Sequence, residues 1–314
     1  MSVSTDQLEA VDSCCASCGI TEIDDIKLKK CNDCDLVSYC SDTCKEDHRP
    51  QHEAKCKERA AELRDEILYR QPESAHLGDC PICFLPLEPD CNKYAMYTCC
   101  SKYICNGCRY ANEIRQRREK IEQTCPFCRY PTPASQEEAN LIMMKRAEAN
   151  DPAALREVGK VFYLNGNNDD ALKYCSKAAE LGSANAHCHL SYMYRDGEGV
   201  EKDEAKEIYH LEQAAIRGHP DARFQLAWKE GSCGRMKGSV KHWIIGANLG
   251  HNSSILALKM CYQGGDIRKE DFAAALRAHQ AAVDAMKSPQ REAAAKFYGA
   301  NEVKENKNST IVSV

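Results

Sequence analysis

The sequence predicts a mostly α protein, with two small zinc-stapled modules near the N-terminus followed by an α-solenoid of helical hairpins. Three observations carry that prediction. Seventeen of the 21 cysteines fall at or before Cys128. Most of those seventeen stand in pairs at metal-ligand spacing. Beyond Ser135, a short alanine-rich pattern ending in glycine recurs first after 36 residues and then after 32.

The bulk numbers agree. A chain of 314 residues exceeds one ordinary core and implies two or three domains. With 43% apolar and 28% charged residues it is a globular composition. No apolar run is long enough to span a bilayer, so no membrane partner is expected. Met1 to Val11 has no basic stretch followed by an apolar one, so no secretory leader is expected. The expected location is intracellular, cytoplasmic or nuclear, where clustered cysteines hold metal rather than disulfides. The formal charge of −5 argues against nucleic acid as a partner, which calls for a basic face.

Composition sets the boundaries. The first cysteine cluster covers 15–56 and the second 80–130. Between them, 57–79 reads as a helical linker: Lys57 to Tyr69 is rich in Ala, Glu, Leu and Arg, and Gln71-Pro72 and Gly78 end it. Helical repeats are expected over 135–290, and 301–314, polar and without period, as a flexible tail.

The first cluster is four pairs: Cys15/Cys18, Cys31/Cys34, Cys40/Cys44 and His52/Cys56. A two-residue gap lets one tight turn aim two thiolates at one metal, and a three-residue gap puts two side chains on one helix face. Eight ligands suffice for two tetrahedral zinc ions. His48 is an alternative to His52, whose gap to Cys56 fits better, and Cys14 is a spare thiol. Cys15-Ala-Ser-Cys18, Cys31-Asn-Asp-Cys34, Tyr39-Cys40-Ser-Asp-Thr-Cys44 and His52-Glu-Ala-Lys-Cys56 resemble the MYND zinc finger over its whole length. The resemblance implies an interleaved arrangement, with Cys15, Cys18, Cys40 and Cys44 on one zinc and Cys31, Cys34, His52 and Cys56 on the other. It also implies a module that binds protein segments, often proline-containing. Arg49 stands where that family usually has a tryptophan, which puts the usual peptide groove in doubt.

The second cluster offers Cys80-Pro-Ile-Cys83, Cys99-Cys100, Cys105-Asn-Gly-Cys108 and Cys125-Pro-Phe-Cys128. Adjacent cysteines must turn sharply to share a metal, and Cys91 could replace Cys99 or Cys100. The pattern resembles an all-cysteine RING finger. That likeness implies a cross-brace, with Cys80, Cys83, Cys105 and Cys108 on one zinc and Cys99, Cys100, Cys125 and Cys128 on the other. It further implies a ubiquitin-conjugating enzyme as a partner, with Ile82 and Pro126 as contacts and Arg129 as a basic residue steadying the conjugate. The family's histidine ligand and its common tryptophan are both missing. The stretch Arg115-Gln-Arg117-Arg118 reads as a solvated helix face. Four zinc ions against fifteen thiolates would take the formal charge from −5 to about −12, a further argument against phosphate binding.

In the helical half, Ser135-Gln-Glu-Glu138 is a capping box. Lys177-Ala-Ala-Glu-Leu-Gly182, Gln213-Ala-Ala-Ile-Arg-Gly218 and Ile245-Gly-Ala-Asn-Leu-Gly250 are successive copies, with Gln280-Ala-Ala282 opening a degenerate fourth. Small residues let helices approach, and the glycines suit left-handed helix ends. Gly197-Glu-Gly199-Val200 is expected as the turn inside one hairpin, with Asp203 capping the next helix. These features resemble Sel-one-like repeats, relatives of the tetratricopeptide family, which implies a scaffold holding partner proteins. His187, Cys188 and His189 lie too close in sequence to share a metal from one helix face. Tyr192, Tyr194, Tyr209, Phe224, Trp228 and Trp243 are expected in the core. The expected function is a zinc-binding protein-interaction scaffold or adaptor, with about four zinc ions and other proteins as partners. The alternative is a RING-type ubiquitin ligase in which the repeats or the MYND-like finger select the substrate. A methyltransferase lacks any Gly-rich cofactor motif here.

Overall fold

The computed structural model describes residues 14–23 and 25–308. Residues up to Arg70 form one compact unit and those from Gln71 onward another.

The first unit is built on turns and one long helix. Strands β1 (Lys29–Lys30) and β2 (Ser38–Tyr39) pair antiparallel, and α1 runs Asp42–Leu68. Ser41 caps α1, its hydroxyl accepting the Cys44 N–H at 3.2 Å. The linker expected over 57–79 therefore does not begin a new helix, because its first residues extend the helix that carries Cys44, His52 and Cys56. α1 buries only His52 and Leu68. Ion pairs one turn apart, Lys57 with Glu53 at 2.6 Å and Arg59 with Glu62 at 2.9 Å, support its exposed length by a few tenths of a kcal/mol each, on the order of 0.3.

The second unit opens with the second cysteine cluster. Strands β3 (Tyr94–Tyr97) and β4 (Lys102–Cys105) form an antiparallel hairpin with Tyr94 opposite Cys105, and α2 (Asn106–Glu119) follows directly. Then come α3 (Gln136–Glu148), α4 (Pro152–Leu164), α5 (Asn168–Glu180), α6 (Ala184–Asp196), α7 (Glu204–Ile216), α8 (Pro220–Ser232), α9 (Met236–Asn248), α10 (Asn252–Gly264), α11 (Lys269–Ala285) and α12 (Pro289–Asn308). Residues 309–314 of the expected tail lie outside the described residues, and 301–308 continue α12.

The repeats follow from short, well-capped helices. Eight of them, α3 to α10, have 13 residues each. Ser135 accepts the Glu138 N–H and Glu138 returns a bond to the Ala134 N–H at 2.8 Å, the expected capping box displaced by one residue. Asp203 caps α7 as expected, and Gly197 ends α6 in the left-handed region at φ 78°. The pairs α4/α5, α6/α7 and α8/α9 are hairpins whose contact surface is largely alanine. Ala154, Ala171, Ala178, Ala186, Ala214, Ala222, Ala227 and Ala247 are all fully buried. Small side chains there let backbones close in: a Cβ on Gly159 would sit 2.6 Å from Cys175 Sγ. Leu155, Leu190 and Met193 fill one core cluster, and Trp243 and Leu258 another.

Candidate metal centres

Four groups of side chains could each hold a metal ion: Cys15, Cys18, Cys40, Cys44; Cys31, Cys34, His52, Cys56; Cys80, Cys83, Cys105, Cys108; and Cys99, Cys100, Cys125, Cys128. The ligand atoms of each lie within 4.8 Å of one another. These are the sixteen side chains singled out in the sequence, brought together in the interleaved order that the family likenesses imply.

The backbone explains how each pair is aimed. In four Cys-x-x-Cys turns the N–H of the residue after the second cysteine donates to the carbonyl of the first: Gly19 to Cys15, Asp35 to Cys31, Phe84 to Cys80 and Arg129 to Cys125. All four of those residues have positive φ, 75°, 56°, 56° and 61°. The turn curls both sulfurs to one side, and the left-handed residue is the cost of the curl. Only one of the four is glycine, so the sequence did not advertise the other three. Of the remaining pairs, two sit at helix starts, His52 and Cys56 lie one turn apart inside α1, and Cys99 and Cys100 lie in the turn between β3 and β4. Cys40 and Cys44 flank the Ser41 cap, and Cys105 caps α2 with its own sulfur, 3.4 Å from the Cys108 N–H.

The donor sets fit a tetrahedral dication. Sulfur–sulfur separations of 3.5 Å (Cys18–Cys40), 3.6 Å (Cys40–Cys44), 3.7 Å (Cys31–Cys56), 3.8 Å (Cys83–Cys105) and 3.8 Å (Cys100–Cys125) are far beyond a disulfide. A tetrahedron with zinc–sulfur bonds of about 2.3 Å has edges of about 3.8 Å. His52 Nε2 lies 3.2 Å from Cys34 Sγ. Without a cation the thiols of one group oppose each other's ionisation. A hydrogen bond from Cys105, against burial, holds Cys80 down to about 4, while burial and neighbouring thiolates push Cys56 and Cys108 up to about 12. A dication among them removes that conflict, which is the chemistry these groups are suited to.

The structure also sorts the alternatives. His48 turns its Nδ1 to the Tyr39 hydroxyl at 3.0 Å and lies outside the groups. Cys91 is exposed in the short turn Cys91–Lys93, and Cys14 is exposed beside Cys15. Of the proposed enzyme contacts, Ile82 is half-buried against its own module, Pro126 is half-buried and Arg129 is exposed.

Two side chains that sequence reasoning missed brace the second module from the helical half. Arg146 on α3 donates to the Cys99 carbonyl at 3.3 Å and to Ser101 Oγ at 2.7 Å. Arg291 on α12 donates to the Leu85 and Pro86 carbonyls at 3.1 and 2.7 Å. No local pattern marks either arginine; both lie on helices far along the chain from the loops they hold.

Among the described residues, the expectation that six aromatics are core is corrected for two. Tyr209 is exposed, and Trp228 is 48% exposed whereas its edge-on neighbour Trp243 is 4% exposed. α8 buries Leu226 and Ala227, Ala227 against Trp243 and Ala247 of α9, and leaves the next residue, Trp228, half in solvent. His187 and Cys188 are buried, and His187 meets His210 of α7 at 2.9 Å.

With these groups in place, the comparisons with known proteins are decisive for two segments. The MYND finger model matches residues 15–56. This chain carries a MYND finger. The Sel1 repeat model matches residues 152–183 and 184–219, which are α4/α5 and α6/α7 with their turns. Zinc is the metal that a MYND finger binds, and all four groups could hold it. The chain is similar to a Sel1 repeat protein from Oxalobacter formigenes, at 24% identity over 55% of this chain and 51% of that one, with a TM-score of 0.42. It is also similar to c5321, a protective antigen of uropathogenic Escherichia coli strains displaying an SLR fold, at 20% identity over 61% and 40% of the two chains, with a TM-score of 0.37. The chain spans about half the length of the first and less of the second. No curated protein matches it. No described helix is long and apolar enough to cross a membrane. MYND finger, Sel1 repeats and zinc-fitting groups together fit a zinc-binding protein-interaction scaffold.

Proposed function

We propose that this chain is an adaptor that holds other proteins on two separate surfaces, the MYND finger and the open face of the Sel1 repeats, with one zinc ion in each of the four groups. The observation that carries this reading is the set of large apolar side chains left in solvent on the helical half. α4, α6, α8 and α10 lie side by side, tied by Tyr163 against His189 (4.8 Å between rings), Gln225 Nε2 to the Tyr192 hydroxyl (2.6 Å) and Phe224 against His251 (5.5 Å between rings). Leu164, Trp228, Leu256 and Met260 project from these helices into solvent. Trp228, Leu256 and Met260 lie on the adjacent helices α8 and α10, and large apolar side chains exposed near one another mark an interaction surface better than scattered ones do. Cross-linking of the full chain to its bound proteins tests this. Cross-links should cluster at Lys160 and Lys259, on the same helices, and the double change Trp228→Glu, Met260→Glu should abolish them while MYND-bound proteins stay. Evenly spread cross-links, or no effect of the double change, would sink the reading.

A second reading, a ubiquitin ligase, is supported by Phe84 and Phe127, exposed on the first and last metal-binding turns of the second module, Phe84 to 75%. Apolar tips on two such turns suit a conjugating enzyme. Phe84→Ala should then stop ubiquitin transfer with zinc content unchanged. Absence of transfer by the wild type across a panel of conjugating enzymes removes this reading.

A further inference from the structure

We infer that the module of residues 80–128 is a metal-dependent clasp that joins the two ends of the helical stack. The Cys80 group governs the docking of α12, and the Cys99 group governs the docking of α3 and α4. This assigns the module a role inside its own chain, independent of any partner it binds.

The module and the helices belong to one compact unit. At the C-terminal end the join is Arg291. Arg291 is 7% exposed, and it donates to the Leu85 and Pro86 carbonyls, to the carbonyl of Met286, which ends α11, at 2.8 Å and to Cys83 Sγ at 3.6 Å. Leu85 and Pro86 directly follow the Cys80-x-x-Cys83 turn, and the Leu85 carbonyl accepts the Cys80 N–H at 2.9 Å. Arg291 thus grips the loop that the first metal of this module would shape, and the bond to Cys83 reaches a ligand itself. α12 also lies along α2 with no space to spare: a Cβ on Gly107 would stand 2.8 Å from the Arg291 backbone nitrogen. Tyr110 meets Phe297 and Tyr298, with ring centroids 5.0 and 6.3 Å apart, and the Arg109 guanidinium lies 5.1 Å from the centre of the Tyr298 ring.

At the N-terminal end the join is Arg146. It holds the Cys99 carbonyl and Ser101 and pairs with Asp151, the residue that caps α4, at 2.5 Å. Met96 of β3 packs into the cluster formed by Met143, Leu155 and Val158. The module therefore touches α3, α4 and α12, and a cavity of about 870 Å³ lies between it and the repeats.

Such a module has little apolar core of its own. Its buried cluster is chiefly the cysteines with Leu87 and Ile104, so its loops keep their shape through the metal. Carbonyls that keep their places only when the metal is bound cannot hold an arginine when it is not. By reciprocity, the arginine must favour the metal-bound form to the extent that the metal favours docking of the arginine. Partners of metal ligands typically change metal affinity by about 10–100-fold.

The test is hydrogen exchange of the full chain read by mass spectrometry, combined with competition against a chromogenic chelator. Cys80→Ser should raise exchange in Pro289–Tyr298 while α5 to α8 stay protected, and Cys99→Ser should do so in α3 and α4. Arg291→Ala should weaken retention of one zinc about tenfold and leave the zinc of the MYND finger as tightly held as in the wild type. Gly107→Ala, which keeps Arg291 but forces α12 away, should reproduce the α12 exchange if Arg291→Ala disturbs the repeats. The clasp is overturned if α12 keeps its protection in Cys80→Ser, or if both Arg291→Ala and Gly107→Ala hold all their zinc at wild-type strength.

Discussion

His76 and His219 stack face to face, their ring centroids 4.2 Å apart and their planes 15° from parallel. His76 Nε2 faces Asn185 Oδ1 at 3.0 Å, a contact in which Nε2 is the donor, and the ring is buried beside Gly218. His219 Nδ1 accepts the Ala222 N–H at 3.4 Å. Both rings are therefore neutral in the fold. Burial pushes His76 down to about 4, with Asp221 opposing and Arg156 assisting, and burial next to His76 pushes His219 well below its ordinary value of 6.5. A base whose folded pKa is depressed stabilises the fold fully above its unfolded pKa and loses that contribution as pH falls toward the folded value. Stability should fall below pH 6.5 by up to about 1.4 kcal/mol per pH unit for each proton taken up. Acid also strips thiolate metal sites, so the comparison is with His76→Gln. The gap in urea midpoint between wild type and variant should narrow from pH 7.5 to pH 5, and a constant gap would contradict the assignment.

Three glycines at the same place in successive repeats should differ in cost when replaced by alanine. Gly182, Gly218 and Gly250 all have left-handed backbones, at φ 87°, 81° and 81°, and each loses about 1–2 kcal/mol from that alone. A Cβ on Gly182 meets nothing within 4 Å, one on Gly250 meets the mobile end of Met286 at 2.5 Å, and one on Gly218 meets the Ser74 carbonyl oxygen at 2.5 Å. Backbone cannot step aside as a methionine tip can, so Gly218→Ala should cost about 1–3 kcal/mol more than Gly182→Ala, with Gly250→Ala between them. Thermal midpoints in the reverse order would refute the ranking.

The glycines also show what could be read from the sequence alone. Gly182, Gly218 and Gly250 announced three helix ends, and Ser135, Asp203 and the paired alanines announced helix starts and close faces, because each acts within a few residues of itself. The ligand pairs were legible for the same reason, since every pair is made by one turn or one helix step, while the sharing of a metal between distant pairs came only from the family likenesses. What was not legible is long-range. Arg291 lies more than 200 residues from Leu85 and Pro86, and nothing local distinguishes it from a surface arginine. Trp228 was misplaced because an aromatic in a helix does not reveal which side of a repeat it faces.

The cysteines outside the groups give a sharp contrast. Cys56→Ser and Cys100→Ser should each lose one zinc ion from a total of about four, while Cys14→Ser and Cys91→Ser should lose none, because both of the latter stand apart from the four groups. Elemental analysis of purified variants settles it. Equal zinc in Cys91→Ser and Cys100→Ser would mean that the adjacent cysteines do not share a metal.

The two tryptophans allow the repeat surface to be checked by fluorescence. Trp228 and Trp243 are in edge-on contact, their ring centroids 5.7 Å apart, yet one is half in solvent and the other is buried with its indole N–H unpaired. Trp243→Phe leaves only Trp228, and its emission should be red-shifted and readily quenched by iodide. Trp228→Phe leaves only Trp243, and its emission should be blue-shifted and resistant to iodide. Stability should divide the same way. Trp243 packs with Ala227, Ala247 and Leu258, so Trp243→Ala leaves a large void and should cost about 3–5 kcal/mol. Trp228→Ala removes a ring that is only half buried and should cost less, about 1–2 kcal/mol. A bound partner that covers the open face should shield Trp228 from iodide in the Trp243→Phe protein. If both single-tryptophan proteins quench equally, the orientation of α8 assigned here is wrong, and Trp228 is no part of an exposed apolar surface.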